Sequence, residues 1–374
     1  MFKKIKGQEK AILILERSIK QNKIAQSYLF YGPDGVGKFT TALYFGMAIN
    51  CHSIIDKRPC GVCNSCKKFL SFSHPDLVYI FPTPKLDISL DGEIKSNAIL
   101  VEYNNYLENK KKTPWKEFFF SQNIGIRIGS IRMLEHRINL SPNEAVTKIY
   151  IIENADMMTR QAANAFLKTL EEPPRDTVII LTTSKPNSLL PTILSRCQKI
   201  SFSAIPKNII EKELRNTEIV GHFEAKIYAR IANGSMEKAL RLVEEGLIKS
   251  REETIKFLKI ILNKNDLHFL EFVNHYKTSK NQTKLVEIIS HLILWVSDIS
   301  YYKNYPDDLI NLDQTDLLEI LYHNNPKIDE YAPELIEFLE EMIQRLAGYV
   351  NPQLILTEIY HRLCSIFSSN IITS

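Results

Sequence analysis

Short β-prone runs at Tyr28 to Tyr31, Leu77 to Phe81, Lys148 to Glu153, Thr177 to Thr183 and Lys199 to Phe202 are separated by stretches such as Thr159 to Leu170, in which apolar positions recur at helical spacing. Strands alternating with helices predict an α/β fold, a mostly parallel sheet covered by helices, with its ligand site beyond the carboxyl ends of the strands. After Ile205-Pro206 the strand pattern stops. Helical apolar patterns such as REETIKFLKIIL and LVEIISHLILWVSDI then dominate. The expected organisation is therefore an α/β core over residues 1–205, a small helical lid over 206–247 and an all-helical domain over 248–374, with Trp295 in the core of the last.

Two segments interrupt the alternation. Residues 51 to about 75 hold a cysteine cluster, and residues 82–123 are polar, lysine-rich and poorly periodic. The second segment is expected to be a surface insertion with no chemistry of its own. Lys110, Lys111, Lys112 and Trp115 within it are either members of a solvated loop or contacts to DNA or a partner, and the solvated loop is the preferred expectation.

Composition narrows the function classes. The chain has 374 residues, 44% of them hydrophobic, enough to fill two or three domain cores. Its 47 basic residues are interspersed with 43 acidic ones for a net charge of +4, so no charge block demands nucleic acid as a partner. The amino-terminal stretch MFKKIKGQEKAILILERSI is broken by Glu9, Lys10, Glu16 and Arg17 and predicts an amphipathic helix of a soluble domain, not a signal peptide. With no apolar run of membrane-spanning length, the expected location is the cytoplasm, without a membrane partner.

The run GPDGVGKF, between a predicted strand and a predicted helix, has the spacing of a phosphate-binding loop. Gly32, Gly35 and Gly37 let backbone amides curl around phosphate oxygens, and Lys38 is placed to meet the β and γ phosphates. The next position is Phe39, where the motif needs a hydroxyl for magnesium. Thr40 follows, but one residue of helix turns its side chain by roughly 100° away. The acidic strand end is altered as well: Glu153 is available for magnesium, but Asn154, which follows it, cannot act as a general base. The expectation is a degenerate nucleotide site that does not hydrolyse, with an unconventional active site as the alternative.

Cys51, Cys60, Cys63 and Cys66 follow the spacing C-x8-C-x2-C-x2-C. Two C-x2-C turns with a returning fourth thiolate suit a closed tetrahedral sulfur site, which predicts structural zinc. An iron–sulfur cluster and dithiol redox chemistry are the alternatives, and His52 and His74 lie near enough in sequence to be considered as substitute ligands. Cys197 and Cys364 are isolated. Arg196, in LLPTILSRCQ, follows a proline-bounded short helix between two strands. It is either an ordinary surface arginine or one that reaches the γ-phosphate in a neighbouring subunit.

Taken together, GPDGVGK, the four-cysteine insertion, ENADMMTRQAANAFLKTLEEPP and LLPTILSRCQ resemble the delta-prime family of bacterial DNA polymerase III clamp-loader subunits, in the AAA+ superfamily. The resemblance covers residues 1 to about 245. It implies an AAA+ P-loop NTPase-type sheet with a zinc-binding insertion, a helical lid and a helical collar domain. It also implies a heteropentamer with motor subunits and a delta subunit that loads a sliding clamp onto primed DNA. Arg196, flanked by Ser195 and Cys197, matches the family's arginine finger, which acts on ATP and magnesium bound in the adjacent subunit, and the four cysteines match its zinc ligands. In the lid, GSMEKAL puts Glu237 where active ATPase members carry an arginine. The departures at Phe39, Asn154 and Glu237 favour delta-prime over the motor subunit, which stays as the alternative function; a zinc-stabilised DNA-binding module is the third. The resemblance further marks Thr183 as near the family's sensing position, with a hydroxyl that satisfies a local hydrogen bond as the alternative, and Gly7-Gln8 as an adenine-side segment retained as structure. Arg132 is a candidate for an intersubunit or DNA-facing role.

Overall fold

The computed structural model describes residues 2 and 5–367, except 87, 91, 93, 95, 115–119, 121–123, 218, 246–247, 277–281, 307–308, 326 and 348–349. Trp115 thus lies outside the described residues. The chain forms two compact units, Met1–Asn216 with Ala232–Arg241 and Thr217–Ile231 with Leu242–Ser374. The stretch 206–247, expected as one lid, is divided between them.

In the first unit the order of elements is α1 (Glu9–Lys20), β1 (Ser27–Tyr31), α2 (Lys38–Ile49), α3 (Asn64–Leu70), β2 (Leu77–Ile80), α4 (Asn97–Lys112), α5 (Ile128–Ile138), β3 (Lys148–Ile152), α6 (Arg160–Glu171), β4 (Thr177–Thr183), α7 (Pro191–Leu194), β5 (Gln198–Ser201) and α8 (Lys207–Arg215). The five strands fall where the sequence pattern puts them and pair in parallel in the order β2-β3-β4-β1-β5. All residues of β3 and β4 are buried, which explains why KIYII and TVIILTT are continuous apolar runs: each of these inner strands is covered on both faces. One face is filled by Ile131, Leu134 and Ile138 of α5 and Ala162, Phe166 and Leu170 of α6, residues spaced three to four apart on their helices.

Because β1 lies between β4 and β5, the connections from β1 and from β4 leave the sheet on opposite sides of that point. The register aligns Tyr31 with Thr183 and Ile152 with Leu181, so the ends of β1, β3 and β4 open one crevice at the carboxyl edge.

The second unit holds α9 (His222–Ile231), the end of α10 (Met236–Glu245), α11 (Ile248–Leu262), α12 (Asp266–His275), α13 (Gln282–Tyr301), α14 (Thr315–Asn324), α15 (Ile328–Ala347) and α16 (Pro352–Ile366). Leu285, Ile288, Ile289, Leu292, Trp295, Val296 and Ile299 form a helical stripe on α13 that is buried in the core of this unit. Trp295 is a core residue, as its place in the stripe requires.

Candidate nucleotide site and cysteine cluster

The phosphate-loop sequence forms the strand–loop–helix turn that it predicts. Gly35 has φ +71°, and a Cβ there would run into the Ser235 side chain, so this glycine is required by both conformation and close approach. Gly37 caps α2 in the left-handed region and Lys38 begins the helix. The Lys38 ammonium turns back onto the loop, donating to the carbonyl oxygens of Gly32 at 2.8 Å and Pro33 at 2.5 Å, with Asp34 Oδ1 at 3.6 Å.

At the next position the helix places a phenyl ring where a magnesium-binding hydroxyl would stand. Phe39 is buried against Tyr79, with ring centres 4.8 Å apart, and Phe72, at 6.1 Å. Glu153 extends from β3 into the same crevice, and both of its oxygens are taken. Lys110 Nζ is 3.0 Å from Oε1, Tyr106 donates to Oε2 at 3.4 Å, and Tyr79 makes a short hydrogen bond to Oε2. Burial, reinforced by the charge on Glu153, pushes the Tyr79 phenol far above its ordinary range, so it stays a donor. Lys110 is 2% exposed and its ammonium also lies 4.6 Å above the centre of the Phe39 ring.

This corrects the expectation for residues 82–123. The segment includes α4, a 16-residue helix, and of its lysines Lys110 is buried in the crevice while Lys111 pairs at the surface with Glu108 at 2.6 Å. Tyr106 and Lys110 stand one helical turn apart and share a face, and Phe81 stacks on Tyr106 with ring centres 4.1 Å apart. Sequence inspection missed Tyr79, Tyr106 and Lys110 as site residues. The i, i+4 spacing of tyrosine and lysine was the available signal, hidden among polar neighbours.

Asn154 follows Glu153 with φ +51° and donates its backbone N–H to Thr182 Oγ1 at 3.3 Å. The Glu237 backbone N–H donates to the Gly35 carbonyl at 3.2 Å, which places this residue beside the loop. The space bounded by Gly35, Lys38, Phe39, Glu153, Asn154 and Glu237 is about 40 Å³ and adjoins a cavity of about 330 Å³ lined by Tyr106, Lys110, Asp156 and Lys185.

The other expected site residues lie in the following surroundings. Thr183 donates to Asp156 Oδ1 at 2.5 Å and accepts from the Lys185 N–H at 2.9 Å. The buried Gln8 amide joins the loop to the exit of β5, donating to Ser203 O at 2.7 Å and Val36 O at 3.3 Å and accepting from the Ser203 N–H at 3.1 Å. Arg132 is exposed on α5. Arg196, just past α7, donates to Thr192 O at 2.9 Å and to Glu171 Oε1, at the end of α6, at 2.7 Å. Its side chain is 32% exposed. Cys197 behind it is buried, and burial pushes its thiol up to about 12.

The four clustered cysteines converge between α2 and the start of α3, with all Sγ atoms within 4.8 Å of one another. A tetrahedral ion with metal–sulfur bonds of about 2.3 Å sets sulfurs about 3.8 Å apart, and Cys60 and Cys66 Sγ are 4.0 Å apart. The backbone N–H of Cys60 points at Cys51 Sγ at 3.4 Å and that of Cys63 at Cys60 Sγ at 3.3 Å, bonds that favour thiolates. The donor set fits a metal ion. His74 stands outside it: its ring packs on Phe69 with centres 4.5 Å apart, and Nδ1 accepts from the Asp76 N–H at 3.1 Å.

A phosphate loop, an acidic strand end and the parallel order β2-β3-β4-β1-β5 define an AAA+-type P-loop module, here with a rebuilt nucleotide crevice. The family described as "DNA polymerase III, delta subunit" matches residues 7–206, and "DNA polymerase III, delta subunit, C terminal" matches residues 245–363. The chain belongs to this DNA polymerase III clamp-loader family. It is 27% identical over 350 residues to the DNA polymerase III subunit delta' of Bacillus subtilis, covering 92% of this chain and 93% of that protein. To the subunit tau of the same organism it is 26% identical over 388 residues, covering 97% of this chain and 61% of that protein. To the subunit tau of Escherichia coli it is 28% identical over 251 residues, 66% of this chain and 33% of that protein. A gamma subunit-related protein of Thermotoga maritima superposes with a TM-score of 0.43 at 18% identity, covering 96% of this chain and all of that one.

Proposed function

We propose that this chain is a delta-prime-type, non-motor subunit of a clamp loader. It joins motor subunits and a delta subunit in a cytoplasmic heteropentamer and assists ATP-dependent loading of a sliding clamp onto primed DNA. Its contribution to chemistry is Arg196, an arginine finger that stabilises charge on the γ-phosphoryl group of ATP–magnesium bound by the neighbouring subunit. Its own site, formed by Gly32, Gly35, Gly37, Lys38 and Glu153, does not turn over. Cys51, Cys60, Cys63 and Cys66 hold a structural zinc ion, and the helical carboxyl-terminal region serves as a collar for assembly.

The observation that carries this reading is the crevice itself. Phe39 offers no lone pair to magnesium, Glu153 is engaged by Lys110 and two tyrosines, and Asn154 supplies no base. Delta' and tau relatives match at nearly equal identity, so these residues, with Glu237, are what support the delta-prime assignment over a motor subunit. Arg196 is half-exposed on the connection between β4 and β5, already oriented by Glu171. Among the described residues no helix is long and apolar enough to cross a membrane.

The test is clamp- and DNA-stimulated ATP hydrolysis by a loader reconstituted with this chain or its Arg196→Ala form, both shown to assemble equally. Loss of turnover with the variant supports the reading; undiminished turnover refutes the arginine finger.

A further inference from the structure

In P-loop ATPases a magnesium ion stands between the acidic strand end, the hydroxyl that follows the loop lysine and the phosphates. Here that position lies between Glu153 and residue 39, and a side chain reaches it: Lys110 Nζ is 3.0 Å from Glu153 Oε1 and 4.6 Å from the centre of the Phe39 ring. We propose that Lys110 is a built-in replacement for the divalent metal, a cation carried by the insertion that neutralises Glu153 and shuts the site to magnesium–nucleotide.

The chemistry of the surrounding groups supports a resident ammonium over a metal. Magnesium demands near-octahedral oxygen ligands and gives up its water reluctantly. The Phe39 ring provides no ligand oxygen, but its face attracts an alkylammonium. Glu153 Oε2 is held by the hydroxyls of Tyr79 and Tyr106, so the carboxylate has no free edge to offer an incoming ion. The loop lysine shares in the closure, because Lys38 already donates to the carbonyls of Gly32 and Pro33, groups that bound phosphate would compete with.

Two changes that look independent in the sequence are then one. A hydroxyl gives way to phenyl at position 39, and a lysine 71 positions later supplies both the charge that Glu153 requires and the partner that the new ring favours. Helix α4 acts as an internal plug, and the first unit keeps one arrangement of its crevice whatever the nucleotide concentration. This inference deepens the proposal that the site does not turn over. It concerns this chain alone and does not depend on Arg196 or on assembly.

The experiment measures the affinity of the isolated full-length, zinc-loaded chain for a fluorescent ADP, with and without magnesium. The chains compared are the wild type, Phe39→Thr, and Phe39→Thr with Lys110→Ala, each confirmed as folded by near-ultraviolet circular dichroism. Magnesium should leave the affinity of the wild type and of Phe39→Thr unchanged, because Lys110 still occupies the metal position. In the double variant, magnesium should raise affinity by about tenfold or more. A magnesium-dependent rise in Phe39→Thr alone, or no rise in the folded double variant, would overturn the proposal. If the variants do not fold, the wild type still decides: magnesium-independent affinity, or no binding, supports the plug, and magnesium-enhanced binding refutes it. Failure here with a functioning Arg196 would leave the trans-acting role intact, and the converse outcome is equally distinguishable.

Discussion

Replacing Phe39 by alanine removes a ring that is 5% exposed and packed between Tyr79, Phe72 and the Lys110 ammonium. Truncating a buried phenylalanine costs about 3–5 kcal/mol, from lost transfer energy and the cavity left behind. Lys110 also loses its aromatic partner, worth about 0.5–1 kcal/mol or more when desolvated. These terms overlap, so about 4 kcal/mol is the working figure. For a unit of this size each kcal/mol shifts the melting temperature by roughly 2–4 °C, giving a fall of about 8–16 °C. Calorimetry of the full chain, following the transition of the first unit, measures it. Lys111→Ala is the control: its exposed pairing with Glu108 should change stability by no more than about 0.5 kcal/mol. A Phe39→Ala loss below about 1 kcal/mol would refute the account, because residue 39 would then be behaving as a free surface position and not as a ring packed against Tyr79, Phe72 and Lys110.

Two further outcomes follow from other parts of the first unit. One zinc ion per chain should be retained by Cys197→Ser and lost from Cys66→Ser, measured by elemental analysis after dialysis; equal loss from both, or zinc absent from the wild type, would contradict the four-cysteine site. Asp76 is buried, which acts to raise its pKa, but its carboxylate accepts from the N–H groups of Asn143, Glu144 and Ala145 at 2.7–2.8 Å, and these hold the pKa below the usual carboxylate range. A depressed folded pKa means stabilisation that is full above the unfolded value of about 3.9 and is lost as pH falls through the folded value. Asp76→Asn should therefore be less stable than wild type by about 1–3 kcal/mol at pH 7, with the gap closing in acid. Urea titrations at pH 7 and pH 3 check this, and a gap that widens in acid would reverse the assignment.

The sequence displayed the sheet well because the inner strands are buried on both faces, and runs such as KIYII and TVIILTT leave little freedom of interpretation. The phosphate loop and the cysteine cluster were legible for a different reason: each is a local spacing whose chemistry needs no distant partner. Glu153 could be placed at a strand end, but its state could not, since it depends on Lys110, 43 residues earlier on another element. A lysine in a polar segment is ordinarily solvated, and only the tertiary meeting with Glu153 and Phe39 makes its burial favourable. The same holds for Gln8, whose three hydrogen bonds reach Val36 and Ser203. The stretch 206–247 carries only a helical pattern after the strands stop, and a helical pattern does not say which core each helix joins; its residues are divided between the two units.

The measurement that tests the central claim most directly compares Arg196→Ala and Lys38→Ala in one assay, the clamp- and DNA-stimulated ATP turnover of the reconstituted loader. An arginine finger is worth roughly 10³–10⁵-fold at the site it serves. On the proposed roles Arg196→Ala should therefore silence the neighbouring site, and Lys38→Ala, in a site proposed not to turn over, should leave loader turnover at the wild-type level. Loss with Lys38→Ala and none with Arg196→Ala would contradict the account and mark this chain as a motor subunit.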